Sequence, residues 1–493
     1  MLFNSISFLI FFPIVTILYY LASFRWKWLV LLIASCIFYL VFIPVYIFIL
    51  FYLIIVDYTA GIFLSKLKGK KRKFLLLISI LSNIGILFFF KYSNFFQINV
   101  QQLASLIHWN YSPQLLNLIL PIGLSFHTFQ SLGYVIDVYK RKQKPEKHLG
   151  KYALFVMFYP QLVAGPIERA AHLIPQFYVN HKFDENNVSE GLRRMLLGFF
   201  KKLVIADRLA IMVNQVYGSP HSYIGFPLIL ATVAFAFQVY CDFSGYSDIA
   251  IGAARVMGFN LPENFNAPYL ATSIRDFWRR WHITLYSWFR DYIYIPLGGS
   301  RKGELINIRN ILIVFFVTGL WHGANWTYVV WGLIHGFYMV INLLVSQYKL
   351  PLKVVISSKL LLFFINLFKI GVTFVLVCIA WIFFRAATIS DGLYILSHAT
   401  TGLLGLFNLA LQKNTYDLFY MLFDQHHGVG LTLPQIGIVF GAVVLMEILQ
   451  LLERRKLYPS FPFPVRLGIY LILALAIVNF SPVNPVPFIY FKF

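Results

Sequence analysis

Apolar runs about as long as a bilayer is thick recur along the whole chain. They lie near 6–23, 28–43, 45–65, 74–92, 113–138, 225–257, 306–320, 325–345, 360–384, 434–452 and 466–480. Hydrocarbon offers no water to backbone N–H and C=O groups, so a spanning segment must satisfy them itself, as a helix or in a closed barrel. Runs near 20 residues without period-two alternation are helices. The pattern predicts an all-α polytopic membrane protein with about eleven transmembrane helices. Only 12% of residues are charged, where a soluble domain carries about 25%.

Charge orients these helices. Lys and Arg number 41 against 19 Asp and Glu, a formal charge of +22. In a membrane protein this excess reads as cytoplasmic loops facing anionic lipid, not as a nucleic-acid surface. "KLKGKKRK" (66–73), "YKRKQKPEKHLGK" (139–151), "SRKGELINIR" (300–309) and "ERRK" (453–456) are the basic loops, whereas 93–112 and 385–433 carry little net charge. The N-terminal run has no basic residues before it and Arg25 and Lys27 after it, which predicts a retained helix rather than a cleaved signal. The region 152–305 does not alternate simply, so re-entrant or interfacial helices are expected there. Within it, "EGLRRMLLGFFKKLVIADRLAIMV" (190–213) mixes basic pairs with apolar residues, as in a helix lying on the cytoplasmic face.

Several chemistries lack their signatures. Cys36, Cys241 and Cys378 are far apart with no CxxC spacing, so neither disulfides nor a zinc site is indicated. HExxH, GxSxG and Walker A motifs are absent, and no metal is expected. His127 reads as a packing residue. His335 lies thirteen residues beyond His322, too far along one helix to share a ligand with it. His426 and His427 read as solvated.

Four stretches are more polar than a plain bundle needs. "TGLWHGANWTYVVWGLIHG" (318–336) places His322 between Gly319, Gly323, Trp321 and Trp326 at membrane depth. Such a histidine is costly, so it is either a helix-joining hydrogen-bond group or a proton acceptor. "SIRDFWRRWHITLYSWFRDYIYIPLGGSR" (273–301) holds five arginines, three tryptophans and His282. It suits an interfacial belt, or a cavity wall that receives an anionic donor through arginine–phosphate contacts. "VYCDFSGYSDIAIGAARVMGF" (239–259) buries Asp242 and Asp248. Six residues apart on a helix, they face different ways, and salt bridges to the arginines of 273–301 are the expected arrangement. "FYPQLVAGPIERAAHLIPQF" (158–177) is broken by three prolines and Gly165 and reads as a re-entrant, cavity-lining segment. Two buried histidines near an arginine-rich wall suit acyl transfer to a hydroxyl, which needs a base and oxyanion donors. A proton-coupled transporter would use the same set.

"VAGPIER", "FKKLVIADRLA", the block from "YCDFSGYSD" to "YIYIPLGG" and "TGLWHGANWTYVVWGLIHG" resemble the bacterial membrane-bound O-acyltransferase family, of the alginate and peptidoglycan O-acetyltransferase type. The resemblance runs from about 115 to 345. It implies a ring of helices around a central tunnel, where a cytoplasmic donor and an external acceptor meet. His322 matches the family's catalytic histidine, and His282 matches the second motif position. Arg279, Arg280, Trp278, Trp281, Asp242, Ser244, Trp321 and Asn325 are candidates for donor binding or tunnel lining. The implied donor is acetyl-CoA, with no bound cofactor. The implied acceptor is an extracytoplasmic glycan or a partner periplasmic acetyltransferase. The implied location is the bacterial cytoplasmic (inner) membrane, in contact with lipid and not with nucleic acid. The chain divides as a single domain, 1–493, into peripheral N-terminal helices (1–112), a catalytic core (113–345) and C-terminal helices (346–493). The alternatives are a D-alanyl transfer protein of the same family fed by a carrier protein, and an acyl-group transporter that performs no chemistry.

Overall fold

The computed structural model describes residues 1–163, 165–347, 359–403, 405, 412, 417, 428–454, 461–482 and 487–489; His426 and His427 lie outside them. Among the described residues there is no strand. Among the described residues eight helices are long and apolar enough to cross a membrane: Pro44–Lys66, Gly69–Leu106, Phe226–Val256, Glu304–His322, Trp326–Ser346, Lys359–Arg385, Leu433–Leu452 and Phe463–Phe480. Three of the eleven expected spans differ. Ile6–Leu21 and Phe24–Leu40 are helices of 16 and 17 residues, at the short limit for crossing the hydrocarbon. In 113–138 only Leu124–Tyr139 is helical, because Pro121 and then Gly123, at φ 77°, break the run. Proline lacks the N–H a helix needs, and glycine alone adopts positive φ without strain.

Phe226–Val256 is the axis of the molecule. Its most apolar window is 72% buried, against 6% for Phe463–Phe480, so the first is wrapped by protein and the second faces outward. The helical segments Glu185–Phe199, Phe200–Ala206 and Asp207–Gly218 pack along it. Paired glycines allow the backbones to touch. A methyl group on Gly191 would lie 2.6 Å from the Gly252 carbonyl oxygen, and one on Gly198 would lie 2.7 Å from that of Gly245. Close approach through small residues is how helices associate where lipid removes the hydrophobic drive.

This packing overturns the surface placement expected for 190–213. Lys201 and Lys202 are buried. Lys202 Nζ lies 2.8 Å from both Asp207 and Asp242, and Lys201 Nζ lies 2.6 Å from Asp248. Arg194 joins Asp248 at 3.0 Å and Glu263 at 2.6 Å. Asp242 and Asp248 are therefore paired as expected, but with the basic residues of 190–213 and not with the arginines of 273–301. Burying a charge is tolerable only when a partner is brought within reach, and here the glycine contacts bring it.

Candidate active site

Glu304–His322 and Trp326–Gln347 form a hairpin. Gly319 and Gly332 stand where the two helices cross. A methyl group on Gly319 would strike the Tyr328 carbonyl oxygen, and one on Gly332 would strike that of Phe315. His322 is the last residue of the first helix, and Gly323 leaves it in an extended conformation. A helix end leaves carbonyls without partners. Here Tyr92 Oη donates to the Leu320 carbonyl at 2.9 Å, and Lys91 Nζ donates to those of Trp321 and His322 at 2.6 and 3.2 Å.

The His322 imidazole is held among aromatic rings. Trp321 and Trp331 stand edge-on to it with centroids 4.8 Å away, and Phe384 at 5.3 Å. His322 is 3% exposed. It opens onto a pocket of about 40 Å³ whose walls are Lys91, the segment Leu120–Phe126, Val163 and Trp321. Val163 belongs to the proline-broken stretch 158–177, whose described residues include the short helical segments Tyr159–Leu162, Ala170–Leu173 and Ile174–Tyr178.

His282 is fully buried and lies at φ 44°, a left-handed conformation that a side-chain-bearing residue rarely holds and that clusters at functional sites. Its Nδ1 is 3.0 Å from Asn264 Oδ1. An amide oxygen only accepts, so Nδ1 carries the proton and Nε2 keeps its lone pair. Nε2 has no hydrogen-bond partner among the described residues. The same Asn264 oxygen accepts from Thr284 N at 3.3 Å and Thr284 Oγ1 at 2.9 Å, and Thr284 Oγ1 in turn accepts from Ile167 N at 3.0 Å. Between the two histidines stand Trp321 and Phe126, each with its ring centroid 6.4 Å from that of His282. The histidines thus share aromatic walls without meeting directly, and His282 does not line the 40 Å³ pocket.

The other sequence candidates are distributed. Trp321 lines the His322 pocket. Trp278 and Arg279 line a separate cleft of about 340 Å³, together with Arg275, Arg290, Tyr286, Tyr294, Asn307, Phe315 and Thr318. Trp278 Nε1 donates to His335 Nδ1 at 3.3 Å, and Trp278 packs on Trp331 at 5.9 Å. Arg280 is drawn off by Asp276 at 2.9 Å and does not line that cleft. Trp281 is core, packed on Phe265, Phe277 and Trp381. Asp242 also accepts from Ile489 N at 2.8 Å and sits at a small cavity beside Lys202. Ser244 faces a fourth, polar cavity with Arg194 and Asn264. Asn325 is exposed; its side chain accepts from Thr327 N at 3.0 Å, capping the second hairpin helix, and it lines neither the pocket nor the cleft. Among the described residues no three His, Cys, Asp or Glu side chains converge as metal ligands.

Two residues at the site escaped the sequence reading. Lys91 had a signal: it is the single charged residue between Phe74 and Leu106, and an ionisable residue at membrane depth deserves a functional question. Asn264 had none, because its role depends on a loop folding back against His282.

A sequence model described as "MBOAT, membrane-bound O-acyltransferase family" matches residues 147–384. Over 390 residues the chain is 39% identical to the probable alginate O-acetylase AlgI of Pseudomonas syringae pv. tomato, covering 78% of this chain and 72% of the relative. It is 36% identical over 370 residues to the peptidoglycan O-acetyltransferase of Helicobacter pylori, covering 68% and 66%. It is 30% identical over 234 residues to the teichoic acid D-alanyltransferase of Streptococcus thermophilus, covering 45% and 56%.

Proposed function

The chain belongs to the membrane-bound O-acyltransferase family, and on that premise we propose that it transfers acetyl groups from acetyl-CoA to hydroxyls of an extracytoplasmic polysaccharide, with His322 as general base. The observation that carries this reading is the pocket at His322. At about 40 Å³ it has room for a few water-sized groups. That suits a reacting acetyl group and not a long acyl chain. Relatives named for alginate and peptidoglycan O-acetylation support a glycan acceptor, reached directly or through a partner transferase.

His322 takes the proton of the incoming hydroxyl, whose oxygen attacks the thioester carbon. The C–O bond forms, the C–S bond breaks, and the proton passes from the imidazolium to the leaving thiolate. His282, held as the Nδ1–H tautomer, orients the aromatic wall that it shares with His322. The donor's phosphates lie in the cleft beside Arg275 and Arg279. Neither guanidinium has an acidic partner among the described residues, whereas Arg280 and Arg290 each have one. The cleft reaches Thr318, one helical turn and about 6 Å along the axis from His322.

The test is single-turnover transfer by the full chain in nanodiscs, using acetyl-labelled CoA and a hydroxyl-bearing oligosaccharide acceptor. Wild type should release free CoA thiol, and His322→Ala, inserted at normal levels, should lose about 10²–10⁴-fold in rate. Retained cleavage in His322→Ala would sink the assignment. Cleavage of a D-alanyl carrier-protein thioester but not of acetyl-CoA would move the chain to the D-alanyl branch.

A further inference from the structure

We propose that Lys91 is the oxyanion-stabilising residue of the reaction at His322. This rests on the acyl-transfer reading above and adds a residue from outside the stretch that the family model matches. Lys91 comes from Gly69–Leu106, and it sits in a π-helical turn, Phe88–Tyr92. Such turns widen a helix by one residue and re-aim its side chains, often at functional sites. The turn brings the ammonium to the wall of the His322 pocket.

A helix cap alone accounts poorly for this lysine. Basic groups do favour helix C-termini, and two of the three ammonium N–H groups are used there, on the Trp321 and His322 carbonyls. A neutral hydroxyl suffices for the same task one residue later, where Tyr92 caps Leu320. Placing a full charge at membrane depth is far more expensive than placing a hydroxyl there. A plain cap therefore does not call for a lysine at this position. The third N–H has no acceptor among the described residues. The cation also lies 5.8 Å from the Trp321 ring centroid, on the wall that closes the pocket.

Acyl transfer supplies the missing acceptor. When the hydroxyl oxygen, deprotonated by His322, bonds to the thioester carbon, the carbonyl π pair moves onto oxygen. The third Lys91 N–H donates to that oxyanion. Collapse restores the carbonyl, expels the thiolate and returns the proton from His322 to sulfur; Lys91 gains and loses no proton. An N–H donor at the pocket wall, fixed by two carbonyls before reaction begins, costs no reorganisation when the charge develops.

Lys91→Gln separates the charge from the cap, since its amide keeps two N–H donors for the carbonyls. Lys91→Arg keeps the charge. Each variant, with wild type, would be reconstituted in nanodiscs and mixed with acetyl-labelled CoA and a hydroxyl-bearing oligosaccharide acceptor, reading the rate of thiol release, KM for acetyl-CoA and melting temperature. Lys91→Gln should lose about 10²–10³-fold in rate with KM and melting temperature near wild type, and Lys91→Arg should recover part of the loss. A Lys91→Gln rate within about threefold of wild type overturns the proposal, because one lost oxyanion donor costs far more than that. So does a loss of rate that tracks a fall in melting temperature in both variants, which marks a cap only. Wild type that cleaves no thioester overturns the acyl-transfer reading itself, and this proposal with it.

Discussion

Asn264 Oδ1 lies 3.0 Å from His282 Nδ1 and accepts from Thr284 through both its backbone N–H and its hydroxyl. One buried oxygen thus sets the tautomer of His282 and ties its loop to the turn that follows. Asn264→Leu removes the acceptor from three donors. Each buried donor left without a partner costs about 1–3 kcal/mol, so the variant should melt well below wild type and lose transfer. Asn264→Asp keeps the oxygen and should lie closer to wild type. Thermal unfolding of the reconstituted variants checks this, and a Leu variant that melts with wild type would show that the Asn264 contacts do not hold the site together.

The crossing of Gly319 and Gly332 has no room for a side chain. Gly319→Ala should cost about 1–3 kcal/mol through overpacking and should lower transfer further, since His322 is one turn away and moves with the helix. Gly336 is the control. Its nearest prospective contact is a Phe315 side chain at 3.2 Å, which can yield, so Gly336→Ala should be milder on both readouts. Equal effects at the two positions would show that the crossing does not position the histidine.

Arg275 and Arg279 line the cleft that we assign to the donor phosphates. A charge-assisted hydrogen bond contributes about 1.5–3 kcal/mol, so Arg279→Gln should raise KM for acetyl-CoA roughly tenfold or more with little change in kcat. A fall in kcat at constant KM would place these arginines elsewhere in the cycle. Arg280→Gln, which frees Asp276 outside the cleft, should leave KM alone.

Glu168 and His172, in the stretch that supplies Val163 to the pocket, are 3.1 Å apart. Burial holds the Glu168 carboxyl above its usual range, and the bond to Glu168 raises the His172 imidazole above 6.5. Both shifts mean that the folded chain binds protons more tightly than the unfolded one. The Glu168 contribution is present below 4.5 and is lost as pH rises through that carboxyl's own folded value; the His172 contribution is present below 6.5 and is lost as pH rises through the folded value of His172. The melting temperature of His172→Gln should fall below wild type on the acid side of 6.5 and converge with it on the alkaline side. A gap that is constant with pH would assign His172 a packing role instead.

Charge was where the linear reading went furthest astray. The basic pairs of 190–213 looked like a cytoplasmic surface because local composition is all that a window of sequence reports. Lys201 and Lys202 are buried because Asp248 and Asp242 meet them from a helix some forty residues on. Asn325 caps a helix and Trp281 packs on Trp381, contacts that their neighbours in sequence do not announce.

By itself, then, the sequence determined the solvent of this protein, its helical class and the residue to ask about first. Hydropathy adds up along a helix, and a histidine at membrane depth stands out without reference to anything distant. The tertiary structure alone decided which charges are paired, which nitrogen of His282 keeps a lone pair, and that Lys91 joins His322 at one pocket. Those outcomes depend on distances of about 3 Å between groups far apart in the chain, since hydrogen bonds and buried ion pairs act only at such range.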